Sequence, residues 1–366
     1  MTKLYVLEQG RRIEVFDDPV ADALVLGRRL SSWQAYAASN AGLELERVTS
    51  LDGLAPPYFV MDEDVHVTTR YLTDFVAAAE RAGKNAIAGI ASNPVIDGVA
   101  NAHPRAQRVP GGVTYALRYV TNDDAPTPIL LAMDDLQYSA TRLPAAIQTN
   151  NPVYFCESTR ALLQIGSPLH VYQANMHQNL ERASGLLDGS NDIGKNCDIH
   201  PTAYLEGCTV GDGATIGAHA VLRWSDIGER AHVYDSVNML RGVIGEGTTV
   251  HLQHRVVHAV TYPECFIISG ALQFSIMGRA SAIFAAWITD ARMDEKSVRT
   301  VVDGQVVDSG MRFLGALVGH GAKVTAGVVT APGRVVPSGA TIHPSGQDVY
   351  TGWPAGADVN TPFFLG

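Results

Sequence analysis

Aliphatic residues recur in steps of about six along much of the second half of the chain. Neither the helical period of 3.6 residues nor the strand period of two produces a step of six. A coil with three flat sides produces this step when each side directs one aliphatic residue inward, so the pattern predicts a stacked parallel β-helix. The positions are Ile193, Ile199, Leu205, Val210, Ile216, Leu222, Ile227, Val233, Met239, Ile244, Val250 and Val256.

The six-residue step lapses after this series and then returns. It is lost over about 263–313 and resumes at Val318, Val324, Thr330, Val336 and Ile342. The gap contains TVVDGQVVDSG, in which an Asp-Gly pair between two valine pairs is typical of a hairpin turn. We therefore predict a β-helix over 190–350 with an inserted loop at about 263–313, followed by a tail at 351–366.

The first 169 residues show the alternating pattern of an α/β domain. Short apolar runs indicate strands, and two longer stretches carry apolar residues at helical spacing, as expected for a mostly parallel, Rossmann-like sheet. A further helix is predicted at 170–189, where it joins the two halves. The predicted strands are 4–8, 57–65, 85–92, 112–120 and 128–135, and the predicted helices are 30–41 and 69–82.

Composition is that of a folded protein. The 366 residues are 46% hydrophobic and 17% charged, and the net charge of −10 argues against nucleic acid or an anionic membrane as a partner. The segment MTKLYVLEQG lacks the apolar run of a signal peptide, and no run approaches membrane-span length. We therefore expect a cytoplasmic protein that acts on a small molecule.

Three segments resemble one family of two-domain enzymes. They are PVADALVLGRRLSSWQAYAASNAGL at 19–43, QIGSPLHVYQAN at 164–175 and DARMDEKSVRTVVDGQVVDSGMRFLGALVGHGAKVTAGVVTAPGRVV at 290–336. They resemble the archaeal-type, GlmU-like enzymes, which join a sugar-1-phosphate nucleotidylyltransferase to a hexapeptide-repeat amino-sugar N-acetyltransferase. The resemblance implies a nucleotidyltransferase-like α/β domain, a left-handed β-helix, a homotrimer and two separate active sites.

The first implied site binds a nucleotide and a sugar phosphate. The family has a glycine-rich phosphate loop after the first strand, and in its place this chain has Arg11 and Arg12, which are candidates for contacting an anion. Asp134 and Asp135 end another strand of the same sheet and are predicted to line the same crevice. Asn175 closes the second resembling segment and is also assigned to substrate binding.

The same site implies Mg²⁺ bound with the nucleotide. Asp64 stands where the family has its first metal ligand, and Asp62 is a near substitute. The second family ligand is an aspartate, but this chain has Gln164, whose neutral amide is a poorer ligand for a hard cation. An acidic strand end that caps the following helix is the alternative interpretation of Asp64.

The second implied site is an acyltransferase site with a histidine base. The resemblance places Ile267 at that position, and isoleucine cannot move a proton. Nearby His258 is the favoured substitute, followed by His254, with Glu264 as a third candidate. The six-residue register places these histidines outside the coil, at a subunit boundary. Lys296, Arg299 and Arg312 flank the predicted hairpin and are candidates for binding the phosphates of acyl-CoA.

Three functions remain open from the sequence. The first is transfer of an acyl or related group to an amino-sugar or amino-acid-like acceptor at the β-helix. The second is a divergent nucleotidylyltransferase that acts on a sugar phosphate or a related phosphorylated substrate. The third is a non-catalytic scaffold that binds a ligand.

Overall fold

The computed structural model describes residues 2–93, 96–97, 102–103, 105–133, 138–139, 153–154, 158–185, 189–268, 270–294 and 296–345. The candidate residues Asp134 and Asp135 and the predicted tail at 351–366 lie outside these ranges.

Thirteen strands are described before the β-helix. They are β1 (Lys3–Leu7), β2 (Leu24–Val25), β3 (Arg28–Arg29), β4 (Glu44–Val48), β5 (Tyr58–Asp62), β6 (Val65–Val67), β7 (Ala86–Ala91), β8 (Gln107–Val109), β9 (Gly112–Val120), β10 (Thr127–Leu131), β11 (Tyr138–Ser139), β12 (Val153–Tyr154) and β13 (Leu162–Gln164).

The N-terminal sheet is mixed. Its order is β10-β7-β9-β5-β1-β4, with β8 also paired to β9. All pairs in it are parallel except those that β9 makes with β5, β7 and β8. Helices α1 (Leu30–Asn40) and α2 (Thr69–Ala82) pack on this sheet, and a short 3₁₀ helix spans Val20–Asp22. The predicted α/β character is therefore present, with one antiparallel strand inside the sheet.

Helix α3 (Pro168–Ser184) joins the two halves. Proline at its first turn fits a position whose N–H has no helical partner. Nearly all of its side chains are buried, because it packs on the N-terminal domain and also on the β-helix strands Ile276–Met277 and Leu317–Val318.

The second half is a parallel β-helix with three faces, as predicted. Each face is a stack of short parallel strands in register. Face 1 contains Asp192–Ile193, Thr209–Val210, Asp226–Ile227, Val243–Ile244, Val260–Thr261, Ile276–Met277, Leu317–Val318 and Val335–Val336. Face 2 contains Asp198–Ile199, Thr215–Ile216, His232–Val233, Thr249–Val250, Phe266–Ile268, Ala282–Phe284, Lys323–Val324 and Thr341–Ile342. Face 3 contains Tyr204–Glu206, Val221–Arg223, Asn238–Leu240, Arg255–Val257 and Ala271–Gln273, followed by the pair Trp287–Ile288 and Val329–Thr330.

The aliphatic residues of the six-residue series form the axis of the β-helix. From Val210 to Val256 each is at most 1% exposed, whereas Ile193 in the first coil is 42% exposed because no coil covers it. Coils also stack closely at the corners. A Cβ atom on Gly245, for example, would lie 2.3 Å from the carbonyl carbon of Tyr262, so only glycine fits there.

The interruption begins later than predicted. Coils continue through Ile288, and the insertion lies between that strand and Leu317, with a hairpin of Arg299–Val302 and Gln305–Asp308. The turn at Asp303 and Gly304 is where the Asp-Gly pair predicted it. The aliphatic series is lost from about 263 because one coil is shorter. Val256 stacks on Leu272, so this coil has 16 residues, whereas the coils before it have 17, and later inward residues no longer fall at the expected positions.

The two halves share one hydrophobic core. The outward-facing residues Val243, Val260, Ile276 and Leu317 of face 1 are buried together with the side chains of the N-terminal domain. This row of outward positions continues toward the start of the β-helix as Asp226, Thr209 and Asp192, so the seam changes from apolar to polar along its length.

A second contact ties residues 14–18 to the later coils. The Phe16 ring stacks on His320 at 4.4 Å between centroids, and Asp18 Oδ2 lies 3.0 Å from His320 Nε2. The carboxylate of Glu14 accepts hydrogen bonds from the backbone N–H groups of Asp303 and Gly304 at the hairpin tip. Among the described residues no helix is long and apolar enough to cross a membrane.

Candidate functional site

The predicted nucleotide loop is occupied by an internal carboxylate. Glu63 Oε1 accepts hydrogen bonds from the backbone N–H groups of Gln9 at 3.0 Å and Arg11 at 2.7 Å. These N–H groups occupy the part of the fold where the family resemblance predicts donors to a phosphate. The glutamate therefore takes the donors that a nucleotide would need.

The predicted metal ligands are likewise engaged by side chains. Asp64 is fully buried. Its carboxylate lies 2.7 Å from a guanidinium nitrogen of Arg11 and 3.0 Å from one of Arg105, and it accepts a hydrogen bond from Gln164 Nε2 at 3.1 Å. Asp62 pairs with Arg11 at 3.0 Å, and burial raises the pKa of its carboxyl although Arg11 opposes the shift. Two guanidinium groups leave no place for a divalent cation, so these residues do not fit Mg²⁺. No cluster of metal-binding side chains occurs among the residues that the structure describes.

Arg12 and Asn175 have local structural contacts. Arg12 is exposed and pairs with Asp17 at 2.6 Å. Asn175 is buried and bonds the backbone of the β2–β3 hairpin: its Oδ1 accepts from Leu26 N at 2.8 Å and its Nδ2 donates to Leu24 O at 2.9 Å. Its amide therefore fastens that hairpin to α3.

The predicted acyl-transfer cluster is not brought together. The prediction that His254 faces outward is wrong, since it is 2% exposed and points into the coil. His258 shares an outward corner row with Trp224, which is 36% exposed, but a ring of the chain itself covers His258 and leaves it 4% exposed. His254 occupies an inward corner position that Ala220 and Val237 fill in earlier coils, and neither ring nitrogen has a hydrogen-bond partner among the described residues. Burial, with a smaller contribution from His251, lowers the pKa of His254 to about 4.

His258 and Glu264 lie at different corners of one coil. His258 stacks on the ring of Phe274, the equivalent corner residue of the next coil, at 5.2 Å. Glu264 is exposed at the corner that follows face 1, above Gly247. A shared proton-transfer role for His258 and Glu264 therefore has no support from their placement.

The predicted phosphate-binding residues belong to the insertion. Lys296 and Arg299 are exposed, and Arg312 is half-buried. Among the described residues, none of the three lines the cavity between the two halves. A role for them in binding acyl-CoA stays a prediction.

A cavity of about 700 Å³ lies between the N-terminal domain and the start of face 1. One wall comes from the β2–β3 hairpin and α1, a second from the end of α3, and the third from the polar part of face 1. The lining residues are Leu26, Gly27, Arg28, Trp33, Tyr36, Thr69, Gln178, Glu181, Arg182, Asp192, Thr209, Gly211, Asp226, Ile227, Gly228, Glu229, Ile244, Glu246 and Pro263.

A loosely paired arginine and aspartate lie in the wall of this cavity. Arg182 Nη1 donates to Thr209 Oγ1 at 2.9 Å, while Arg182 Nε lies 3.8 Å from Asp226 Oδ2, beyond hydrogen-bond distance. Arg182 Nε and Nη2 have no hydrogen-bond partner among the described residues. Burial raises the pKa of Asp226 to about 6, although Arg182 opposes the shift, and burial also lowers the pKa of Arg182.

The opposite wall of the cavity is aromatic. Trp33 is fixed by its indole N–H, which donates to Val25 O at 2.6 Å, and Tyr36 packs edge-on against it at 5.7 Å. Arg28 lies over the Trp33 ring at 5.6 Å. The cavity thus faces a potential ligand with flat apolar rings on one side and hydrogen-bonding groups on the other.

Most of the other carboxylates around the cavity already have partners. Arg230 pairs with both Glu229 and Glu246. Glu181 accepts from Gln178 Nε2 at 2.7 Å and from the backbone N–H of Arg70 at 3.1 Å, at the start of α2. Asp226 therefore differs from them, because its closest charged partner is out of hydrogen-bond range.

The sequence did not single out Arg182 or Asp226. Asp226 precedes Ile227 and Gly228 in the repeat, and an aspartate at this outward position is usually solvated. One feature of the sequence did indicate that Asp226 lies near a covered surface. Along the outward row of face 1 the residues change from aspartate and threonine to valine, as expected where a surface passes from exposed to covered. What covers Asp226 is α3, and the sequence pattern does not give that packing.

Comparison with known proteins adds little to this description. No protein-family model matches the sequence. The acetyltransferase domain of PglB from Neisseria gonorrhoeae aligns with 18% identity over 45% of this chain and 60% of that chain, with a TM-score of 0.17. A presumed acetyltransferase of Bacillus cereus aligns with 14% identity over 42% of this chain and 77% of its own, also with a TM-score of 0.17. At these scores neither likeness decides the fold or the function.

Proposed function

We propose that the protein is a transferase that moves an acyl or related group to a small-molecule acceptor bound in the cavity between its two halves. The observation that carries this proposal is the Arg182–Asp226 pair in the cavity wall. Asp226 is largely covered and its closest cation lies beyond hydrogen-bond distance, which is the environment that makes a carboxylate basic enough to accept a proton near neutral pH.

The chemistry requires one base and one acyl donor. As the oxygen or nitrogen of the acceptor attacks the thioester carbonyl of acyl-CoA, Asp226 accepts the acceptor's proton. A new bond forms to the carbonyl carbon, the carbon–sulfur bond breaks, and the proton passes to the departing thiolate. The positive charge of Arg182, 3.8 Å away, helps to keep the Asp226 carboxylate ionised before the reaction.

The acyl donor is proposed from the sequence. The resemblance of 290–336 to the hexapeptide-repeat N-acetyltransferases supports acyl-CoA and a left-handed coil. Nucleotidyl transfer has no comparable support, because Glu63 and the two arginines hold the groups that it would require.

A panel of thermal melts tests the proposal. Acetyl-CoA is expected to raise the melting temperature, whereas nucleotides with Mg²⁺ and sugar phosphates leave it unchanged. Release of free CoA in the presence of amine and alcohol acceptors then measures transfer, and Asp226→Asn is expected to abolish it. Asp198→Asn, an exposed aspartate at the equivalent strand position of face 2, is the matched control. Stabilisation by a nucleotide but not by acyl-CoA would refute the proposal, and a lack of response to every compound would favour the non-catalytic scaffold.

A further inference from the structure

We infer that the group bound between Arg182 and Asp226 is a neutral hydroxyl, carried by a polyhydroxylated small molecule whose apolar face packs on Trp33 and Tyr36. The inference concerns binding alone. It deepens the proposed function by naming the class of acceptor, and it is measured without an acyl donor.

The free edge of Arg182 is the first support. The guanidinium has two paired edges, and the one formed by Nε–H and Nη2–H has no partner among the described residues, while Nη1 is held by Thr209 and by Gly207 O at 3.3 Å. A buried donor pair without an acceptor is costly, so an acceptor oxygen at this edge would stabilise the folded protein.

The balance of charge is the second support. Arg182 and Asp226 are one cation and one anion, and the other charged groups nearest to Asp226 are Arg28 and Asp192, which balance in the same way. Farther along the wall the charge is net negative, because Glu229 and Glu246 share Arg230 and Glu181 has only hydrogen-bond partners. Between Arg182 and Asp226 themselves, a cationic or anionic group would leave one of the two without its counter-charge, whereas a neutral group leaves the pair matched.

The gap between the two side chains is the third support. Nε and Oδ2 are 3.8 Å apart, too far for a direct hydrogen bond and close enough for one oxygen to lie about 2.9 Å from both. A hydroxyl accepts from Nε–H with a lone pair and donates its proton to Oδ2. An ammonium group has no lone pair for the arginine, a carboxylate has no proton for the aspartate, and a phosphate brings negative charge against the aspartate.

The aromatic wall is the fourth support. Trp33 is held in one orientation by its hydrogen bond to Val25, and Tyr36 is 51% exposed at its edge. Ring faces of this kind pack against the C–H surface of a cyclic polyol, while the planar polar side chains opposite bond its hydroxyls. Gln178 lines the cavity between these two walls.

Three variants, one control variant and three kinds of probe test the inference. Binding of glucose and myo-inositol (neutral), putrescine (cationic) and inorganic phosphate (anionic) is measured by calorimetry or ligand-observed NMR at millimolar concentration and matched ionic strength. Wild-type protein is expected to bind a neutral polyol, and both Arg182→Gln and Asp226→Asn are expected to weaken it about tenfold, since each removes a charge-assisted hydrogen bond. Trp33→Leu should weaken binding of the same polyol, because it removes the aromatic ring from the opposite wall. This variant keeps the test decisive if Arg182→Gln fails to fold. Asp198→Asn is the control.

The direction of each effect separates the alternatives. Putrescine that binds more tightly in Arg182→Gln and is lost in Asp226→Asn would overturn the inference in favour of a cationic ligand. Phosphate that binds more tightly in Asp226→Asn would overturn it in favour of an anion. Absence of polyol binding to the wild type would overturn it outright. Polyol binding without any acyl transfer would sustain it while refuting the proposed function.

Discussion

Glu63 and Asp64 are neighbours in sequence and have different partners. Glu63 accepts from backbone N–H groups of the first loop, and Asp64 accepts from two arginines and an amide. Both arrangements satisfy strong hydrogen-bonding groups with parts of the chain itself. Asp64 stands at a position that resembles a metal ligand in the sequence. Its neighbours Arg105 and Gln164 give it a structural role instead.

Transfer activity is expected to depend on the ionisation of Asp226. Because the proposed base must be deprotonated and burial raises its pKa to about 6, kcat/KM should rise as the pH increases through about 6 and then level off. Asp226→Asn should lower the rate about 100-fold or more and remove this dependence. The check is a pH–rate profile at constant ionic strength with Asp198→Asn as control, and an inflection that persists in Asp226→Asn would exclude Asp226 as the base.

His254 is expected to make the β-helix sensitive to acid. Its pKa in the folded protein, about 4, is below the ordinary 6.5, so the unfolded chain binds a proton more readily and folding weakens as the pH falls below about 6.5. His254→Val places at this corner the residue that Val237 provides in the preceding coil. At pH 4 the variant should retain up to about 3 kcal/mol of the free energy of unfolding that the wild type loses on acidification. Denaturant unfolding at several pH values measures it, with exposed His232→Val as control. Equal acid sensitivity of His254→Val and wild type would contradict this account.

At the scale of elements, α3 is buried by two partners at once. One side packs on the N-terminal domain and another on face 1, and its last turn supplies Arg182 to the cavity. A helix in this position has few exposed residues, which is why its sequence lacks a strong polar face. Changes at its ends therefore affect both the stability and the cavity.

Asn175→Ala is expected to loosen the cavity wall. The substitution leaves Leu26 N–H and Leu24 C=O without their side-chain partner, which should lower the free energy of unfolding by about 2 kcal/mol or more. Chemical denaturation measures the loss, and ligand stabilisation should shrink as well, because the β2–β3 hairpin lines the cavity. Asn175→Asp retains the acceptor for Leu26 but sets a carboxylate oxygen against Leu24 O in a buried place, so it should cost at least as much. If both variants matched the wild type, the anchoring role would be wrong.

The elements were predictable where one physical pattern dominated. The six-residue step gave the β-helix because every coil must bury its own aliphatic residues against the next, and α2 was predicted at its observed bounds from its apolar spacing. The predicted start of the insertion was wrong. The coil that follows Val256 has one residue fewer than the earlier coils, which shifts the six-residue pattern while the coils continue to stack. The antiparallel direction of β9 also escaped prediction, since its apolar run does not encode direction.

The candidate site belongs to the whole molecule. Its walls come from 26–36, 178–182 and 192–263, segments that are far apart in sequence and meet only through the packing of α3 on face 1. Patterns along the chain reveal repeats and strand ends, but they do not reveal which outward row of a three-sided coil is covered. Asp226 therefore became a candidate only when its burial was known.

The predicted trimer can be tested at the exposed apolar side chains of the β-helix. Trp287 and Val329 are adjacent on face 3 and are 69% and 66% exposed, and Phe266 on face 2 is 36% exposed. Sedimentation should give a mass three times the 39.1 kDa of the chain, and Trp287→Glu should reduce it toward one chain. Met293→Glu, at a 91% exposed position of the insertion, is the control. A monomeric wild type would refute the predicted trimer.

The contact of residues 14–18 with the later coils has a consequence for how the protein is made. Glu14 and Phe16 are synthesised first, yet their partners are Asp303, Gly304, Tyr262 and His320. On the ribosome the N-terminal segment must wait until most of the β-helix has emerged before it packs. A chain stalled before its last coils would therefore display an unfinished first domain, open to chaperones and proteases.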